Sequence, residues 1–148
     1  MSFIKLVVFL FLPSLSTLPA AEAFRRPGFL YTRNRGLCTP QFWSSRRDEW
    51  PKMVRPEATV SNVFGSMTFE RYRYDLTLME AAERNDDVEN TFVRLLKEST
   101  AALLNSYARK SFPLSPWEVK TSLIQALVSQ ESAAHQAQLF SLANQSCN

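Results

Sequence analysis

The sequence predicts an all-α protein, a compact bundle of four to five helices closed by one disulfide between its ends. Three observations carry this. Beyond residue 75, apolar residues recur at three- and four-residue steps, the spacing that lines one face of a helix. Helix-start signals precede those stretches, the most specific being Ser115-Pro116-Trp117-Glu118, a capping box with proline at the first helical position. The only two cysteines, Cys38 and Cys147, stand at the two ends of everything that reads as folded.

Taken from its start, the chain opens Met1-Ser-Phe-Ile-Lys5 and continues as an unbroken apolar run, Leu6 to Leu12, ended by Pro13. Small residues follow, and Ala21-x-Ala23 fits the small-x-small rule of signal peptidase. This three-part layout predicts a cleaved secretory signal peptide over 1–23. A membrane anchor needs about 20 apolar residues, and the run, even with Phe3 and Ile4, is about half that length. Residues 24–37 hold Arg25, Arg26, Arg33 and Arg35 and no acid. They predict a disordered basic arm, with those arginines as candidate contacts to a polyanion. The remainder, 38–148, has 12 basic and 13 acidic residues. The net charge of +3 therefore belongs to the arm, and it makes no case for a nucleic-acid partner.

Secretion implies an oxidising compartment, where paired thiols persist as disulfides. With two cysteines one intramolecular pairing exists, Cys38–Cys147; free thiols or a bridge between chains are the alternatives. Closing so long a loop is worth at most about 4–5 kcal/mol in the chain-entropy estimate.

Within 38–148, Phe42-Trp43 and Trp50 flank a polar stretch that suits one or two helical turns, with Trp50-Pro51 as the stop. Thr59 to Gly65 reads as a short strand or, preferably, as a helical turn capped by Gly65. Asp75 to Arg84 predicts a helix with Asp75 as N-cap, broken by Asn85-Asp86-Asp87. The strongest helix is expected from Val88 to Lys110, with Phe92, Leu95, Leu96, Ser99, Leu103 and Tyr107 on one stripe. Its charges match the helix dipole, Glu89 early and Arg109 and Lys110 late. The capping box at Ser115 starts a helix to Val128, with Val119, Leu123 and Leu127 inward. Ser129 caps a last helix, Glu131 to Ala143, whose Ala133, Ala137, Phe140 and Ala143 suit close packing. No transmembrane segment follows the leader.

Little chemistry is visible. Three glycines leave no glycine-rich nucleotide loop, and His135, the only histidine, has no serine or metal-ligand partner pattern around it. Asp86, Asp87 and Glu89 lack the spacing of a calcium loop and read as a solvated charge run. No metal and no cofactor are expected, and the reading is non-enzymatic. Asn144-Gln145-Ser146 is a glycosylation sequon, which makes Asn144 a candidate acceptor. Phe42, Trp43, Trp50 and Trp117 are expected to be structural, in the core; a sugar-stacking surface is the alternative.

The order of motifs is also specific: Cys38-Thr-Pro-Gln-Phe42-Trp43, Trp50-Pro51, Thr59-Val60-x-x-Val63-Phe64-Gly65, Leu103-Leu104-Asn105, Phe112-Pro113 and the Ala/Gln-rich closing helix. Together they resemble the C-terminal domain of plant protodermal factor proteins over 38–148. Secreted bacterial and archaeal proteins have a similar opening and Leu-Leu-Asn helix. The resemblance implies a secreted structural or developmental protein of the epidermal cell wall, and it carries over no catalytic residue. Two departures limit it. The family's long Pro-rich region stands where this chain has a short arginine arm, so anchoring through such repeats is not implied. The usual His-Pro pair after the opening is Ser44-Ser45-Arg46-Arg47 here. Asn105, polar behind two leucines, is expected to be buried and bonded to backbone near Trp43. The partner is left open between a wall polysaccharide and a secreted protein. The competing function is a secreted helical inhibitor or binding module acting on a wall enzyme or carbohydrate.

Overall fold

A computed structural model describes residues 36–147. The leader over 1–23 and the arm's Arg25, Arg26, Arg33 and Arg35 lie outside the described residues. Among the described residues six α-helices follow in order: α1 Pro40–Ser45, α2 Val60–Phe64, α3 Leu78–Glu83, α4 Thr91–Ala108, α5 Pro116–Ala126 and α6 Gln130–Gln145. Short 3-10 turns at Gly36–Cys38, Arg47–Glu49 and Ser66–Glu70 fill the gaps, and no strand is formed among the described residues. The helix count exceeds the expectation because the Thr59–Gly65 stretch makes its own helix.

Each helix begins at a side-chain cap. Thr39, Thr59, Thr77, Ser115 and Ser129 each accept the N–H three residues on, and Asn90 accepts two, from Phe92 and Val93. The capping box at Ser115 and Glu118 forms as predicted, and Thr77 with Glu80 makes a second. Thr77 therefore replaces Asp75 as the cap of α3; Asp75 instead accepts from Arg73 outside the helix. Asn90 moves the start of α4 to Thr91, so Glu89 precedes the helix. The backbone turns extended at Arg109, so Arg109 and Lys110 follow it. The expected dipole match is thus absent from the helix itself.

The strand-like character of Thr59 survives in one residue. Thr59 and Thr77 form an isolated antiparallel bridge, with Val60 N–H donating to Leu76 O at 2.8 Å and Leu78 N–H to Ala58 O at 2.9 Å. Two extended N-cap residues pair, which locks the starts of α2 and α3 together. Gly65 ends α2 at φ 109°, a conformation open to glycine and strained for other residues.

α4 is the central helix, and α1, α3, α5 and α6 pack around it. Its middle, Ser99 to Asn105, is buried all round. Ser99 and Thr100 satisfy their hydroxyls by donating to the carbonyls of Leu95 and Leu96 at 2.6 and 2.9 Å. Leu95, Leu103 and Leu104 of α4 form the core with Val119, Leu123, Ala133, Ala137 and Phe140 from α5 and α6. No helix among the described residues is long and apolar enough to cross a membrane.

Candidate functional site

Cys38 and Cys147 are bonded, with Cα atoms 6.1 Å apart across 109 residues of sequence. This separation suits a disulfide, and it joins the first 3-10 turn to the end of α6. Beneath it runs a buried chain of polar side chains. The Trp43 indole Nε1 donates to Asn105 Oδ1 at 2.8 Å. Asn105 Nδ2 donates both to Cys38 O and to Asn144 Oδ1, each at 2.8 Å. Asn144 Nδ2 donates to Glu98 O at 3.1 Å and to Glu98 Oε1 at 2.9 Å. Trp50 Nε1 adds a bond to Trp43 O at 2.8 Å. Trp43, Asn105 and Asn144 are fully buried. Every hydrogen-bonding group of the Asn105 amide thus meets a partner from a different element, α1, the Cys38 turn or α6.

Two charged groups border this chain. Burial pushes the Glu98 carboxyl above its ordinary value; the bond from Asn144 and the nearby Arg94 and Lys97 oppose this only in part. Arg109 Nη2 donates to Leu37 O at 2.6 Å, and its guanidinium lies 5.0 Å from the Trp43 ring centroid and 5.5 Å from that of Phe42. Desolvation lowers the pKa of Arg109, which nevertheless stays a cation.

The expected structural residues divide. Trp43 and Trp50 are in the core, and Phe42 is half-buried, edge-on to Trp43 with ring centroids 5.0 Å apart. Asn105 bonds to backbone at the opening as expected, and to two side chains besides. Trp117 is a correction, because it is 75% exposed. It stands two residues before the inward Val119, about 200° round the helix, so it faces away from the core. Asn144 is a second correction. Its amide nitrogen, the atom that would carry a glycan, is a buried donor to Glu98, so the folded domain has no room for that modification. The charge run is solvated as expected, with Asp86 and Glu89 exposed and Asp87 half-buried. Asp86 receives Arg84 at 2.7 and 2.8 Å, and Asp87 faces Lys97 at 3.4 Å. His135 is exposed beside Ser132 and Gln136.

Three residues carry more of the structure than their sequence context indicates. Lys97 is buried on α4, its Nζ donating to Arg84 O at 2.7 Å. Its position four residues after Val93, on the inner stripe, was the available signal. Arg109 and Arg71 act through distant backbone, Leu37 and Leu127, which no local pattern reveals.

Among the recesses on the surface of the described residues are two of similar size. A cleft of about 410 Å³ is lined by Glu70 to Arg73, Leu76, Arg84, Asn90, Phe92 and Val93. A shallower, mainly apolar groove of about 430 Å³ runs beside Trp117, between Phe64 and Lys120, Thr121, Ile124 and Gln125. Among the described residues, no group of three or more His, Cys, Asp or Glu side chains is placed to hold a metal ion.

No curated protein and no solved structure matches the chain. A family model does, over residues 38–147, the span that the disulfide closes. On that match, the chain belongs to the protodermal factor 1 C-terminal domain family.

Proposed function

We propose that this protein acts outside the cell, in the plant epidermal wall, as a non-enzymatic structural or developmental interaction protein. The observation that carries the reading is the bond between its two cysteines. A disulfide that closes the whole domain is chemistry of an oxidising compartment. The leader's three-part pattern supports the same address, and membership of the protodermal factor family supports the tissue. The polar side chains packed most deeply are committed to holding the fold, which leaves the outer surfaces for contact. A second reading has its own support: Trp117, with its exposed indole beside Lys120, Thr121 and Gln125, suits a binding module for a wall carbohydrate or protein.

A tagged full-length chain, expressed from its own promoter, tests the proposal. Accumulation outside cells of the outer layer is expected. Retention inside the cell, or expression confined to inner tissue, contradicts it.

A further inference from the structure

We infer that the cleft between the Ser66–Glu70 turn and the start of α4 is a binding site for a carboxylated sugar, with Arg71 as the carboxylate fork. The argument begins with what each arginine of the cleft already does. Arg73 is bonded to Asp75 at 3.0 Å and lies 3.6 Å from Glu80, and Arg84 is bonded to Asp86 at 2.7 Å. Both are neutralised by their own carboxylates. Among the described residues, Arg71 has no carboxylate in ion-pair reach. It is nonetheless held in place: Nε donates to Leu127 O at 3.0 Å, and the guanidinium carbon lies 4.2 Å from the Phe92 ring centroid. Its only bond among the described residues uses Nε, so both terminal nitrogens remain available at a wall of the cleft. A planar guanidinium immobilised at one end and unpaired at the other is suited to bidentate capture of a carboxylate.

The remaining lining suits hydroxyl groups. Asn90 spends its Oδ1 on the N–H groups of Phe92 and Val93, which leaves its amide nitrogen as a donor. Arg73 and Arg84 contribute further N–H groups, and Glu70 supplies an acceptor. Tyr72 adds none, because its hydroxyl donates to Phe92 O at 2.6 Å. Glu70, also on the lining, has no ion-pair partner among the described residues, so the cleft has no net positive field. Selection rests on the Arg71 fork, which with the surrounding donors in a volume of about 410 Å³ suits a sugar unit bearing a single carboxylate, a uronic acid. The choice of a uronic acid rests on the extracellular reading; the preference for a carboxylate rests on the cleft alone.

The test titrates the full mature chain with trigalacturonic acid, a neutral galactose trimer and acetate. Calorimetry reads affinity and amide NMR shifts read position. Shifts at Asn90 to Val93 are expected with the acidic trimer and none with the neutral one. Arg71→Lys keeps the charge and loses the fork. Asn90→Asp keeps the helix cap and places a repelling charge in the cleft. Each should weaken binding about tenfold or more. Glutamine at Arg25, Arg26, Arg33 and Arg35 should leave the shifts at Asn90 to Val93 in place. Equal binding of both trimers, wild-type affinity in Arg71→Lys and Asn90→Asp, or loss of those shifts in the arm variant overturns the site. Acetate binding as tightly as the trimer overturns the sugar assignment. A secreted protein that binds no trimer loses the cleft and keeps the extracellular reading; cleft binding by a chain retained in the cell does the reverse.

Discussion

Trp43 and Trp117 belong to opposite regions of the molecule. Trp43, at the disulfide end, is completely enclosed, with its indole N–H on Asn105; Trp117, on the outer face of α5, is 75% exposed. Both lie in a capped helix that opens with proline, Pro40 or Pro116. The difference is whether another element brings a polar partner to the indole. At the disulfide end α4 brings Asn105, and the amide then also ties Cys38 and Asn144. On α5 the helix turns Val119, Leu123 and Ala126 inward and leaves the tryptophan out. The lesson is that a buried tryptophan here is part of a polar arrangement as much as an apolar one.

Four measurements sharpen or break that contrast. Asn105→Ala should be the most damaging. It leaves the Trp43 indole, the Cys38 carbonyl and Asn144 without their shared partner, so a loss of about 4–5 kcal/mol is expected from denaturant unfolding. Stability near wild type would mean the amide chain is incidental. Cys38→Ser with Cys147→Ser should cost less, roughly 2–4 kcal/mol, since packing and the amide chain remain. The third effect is smaller and depends on pH. Burial raises the Glu98 carboxyl in the folded state, so the folded chain holds that proton more tightly than the unfolded one. The stability this contributes is present below the ordinary glutamate value of 4.5 and is lost as pH rises through the folded value. Glu98→Gln keeps an oxygen for Asn144 and should flatten that dependence, gaining on wild type toward neutral pH. An unchanged pH profile in the variant contradicts a buried carboxyl. Trp117→Ala should move stability by no more than about 0.5 kcal/mol, and a larger loss would show that the residue packs after all.

The sequence carried the bundle more fully than its details. Helix starts at Ser115 and Ser129 were legible because a cap is a local bond, made within three residues. The start of α3 was misplaced because Asp75 and Thr77 are both competent caps, and the pairing of Thr77 with Thr59 across the fold decides between them. Burial of Asn105 was readable from its place behind two leucines, whereas its bond to Asn144 joins α4 to α6 and has no local trace. The sequon at Asn144 shows the same limit: three residues define the motif, but Glu98 on another helix determines what the amide is doing. Arg71 could not be distinguished from its neighbours Arg73 and Arg84, since only the fold pairs those two and leaves the first without a carboxylate.

The central claim is an extracellular domain closed by its own terminal disulfide. Intact mass of the protein recovered from outside the cell, alkylated with and without prior reduction, tests it most directly. The account predicts a chain beginning near Phe24, with no alkylation before reduction, two alkyl groups after it, and no glycan on Asn144. Two alkylated thiols without reduction would contradict it, whereas a glycan at Asn144 would keep the secretory address and contradict only the buried amide.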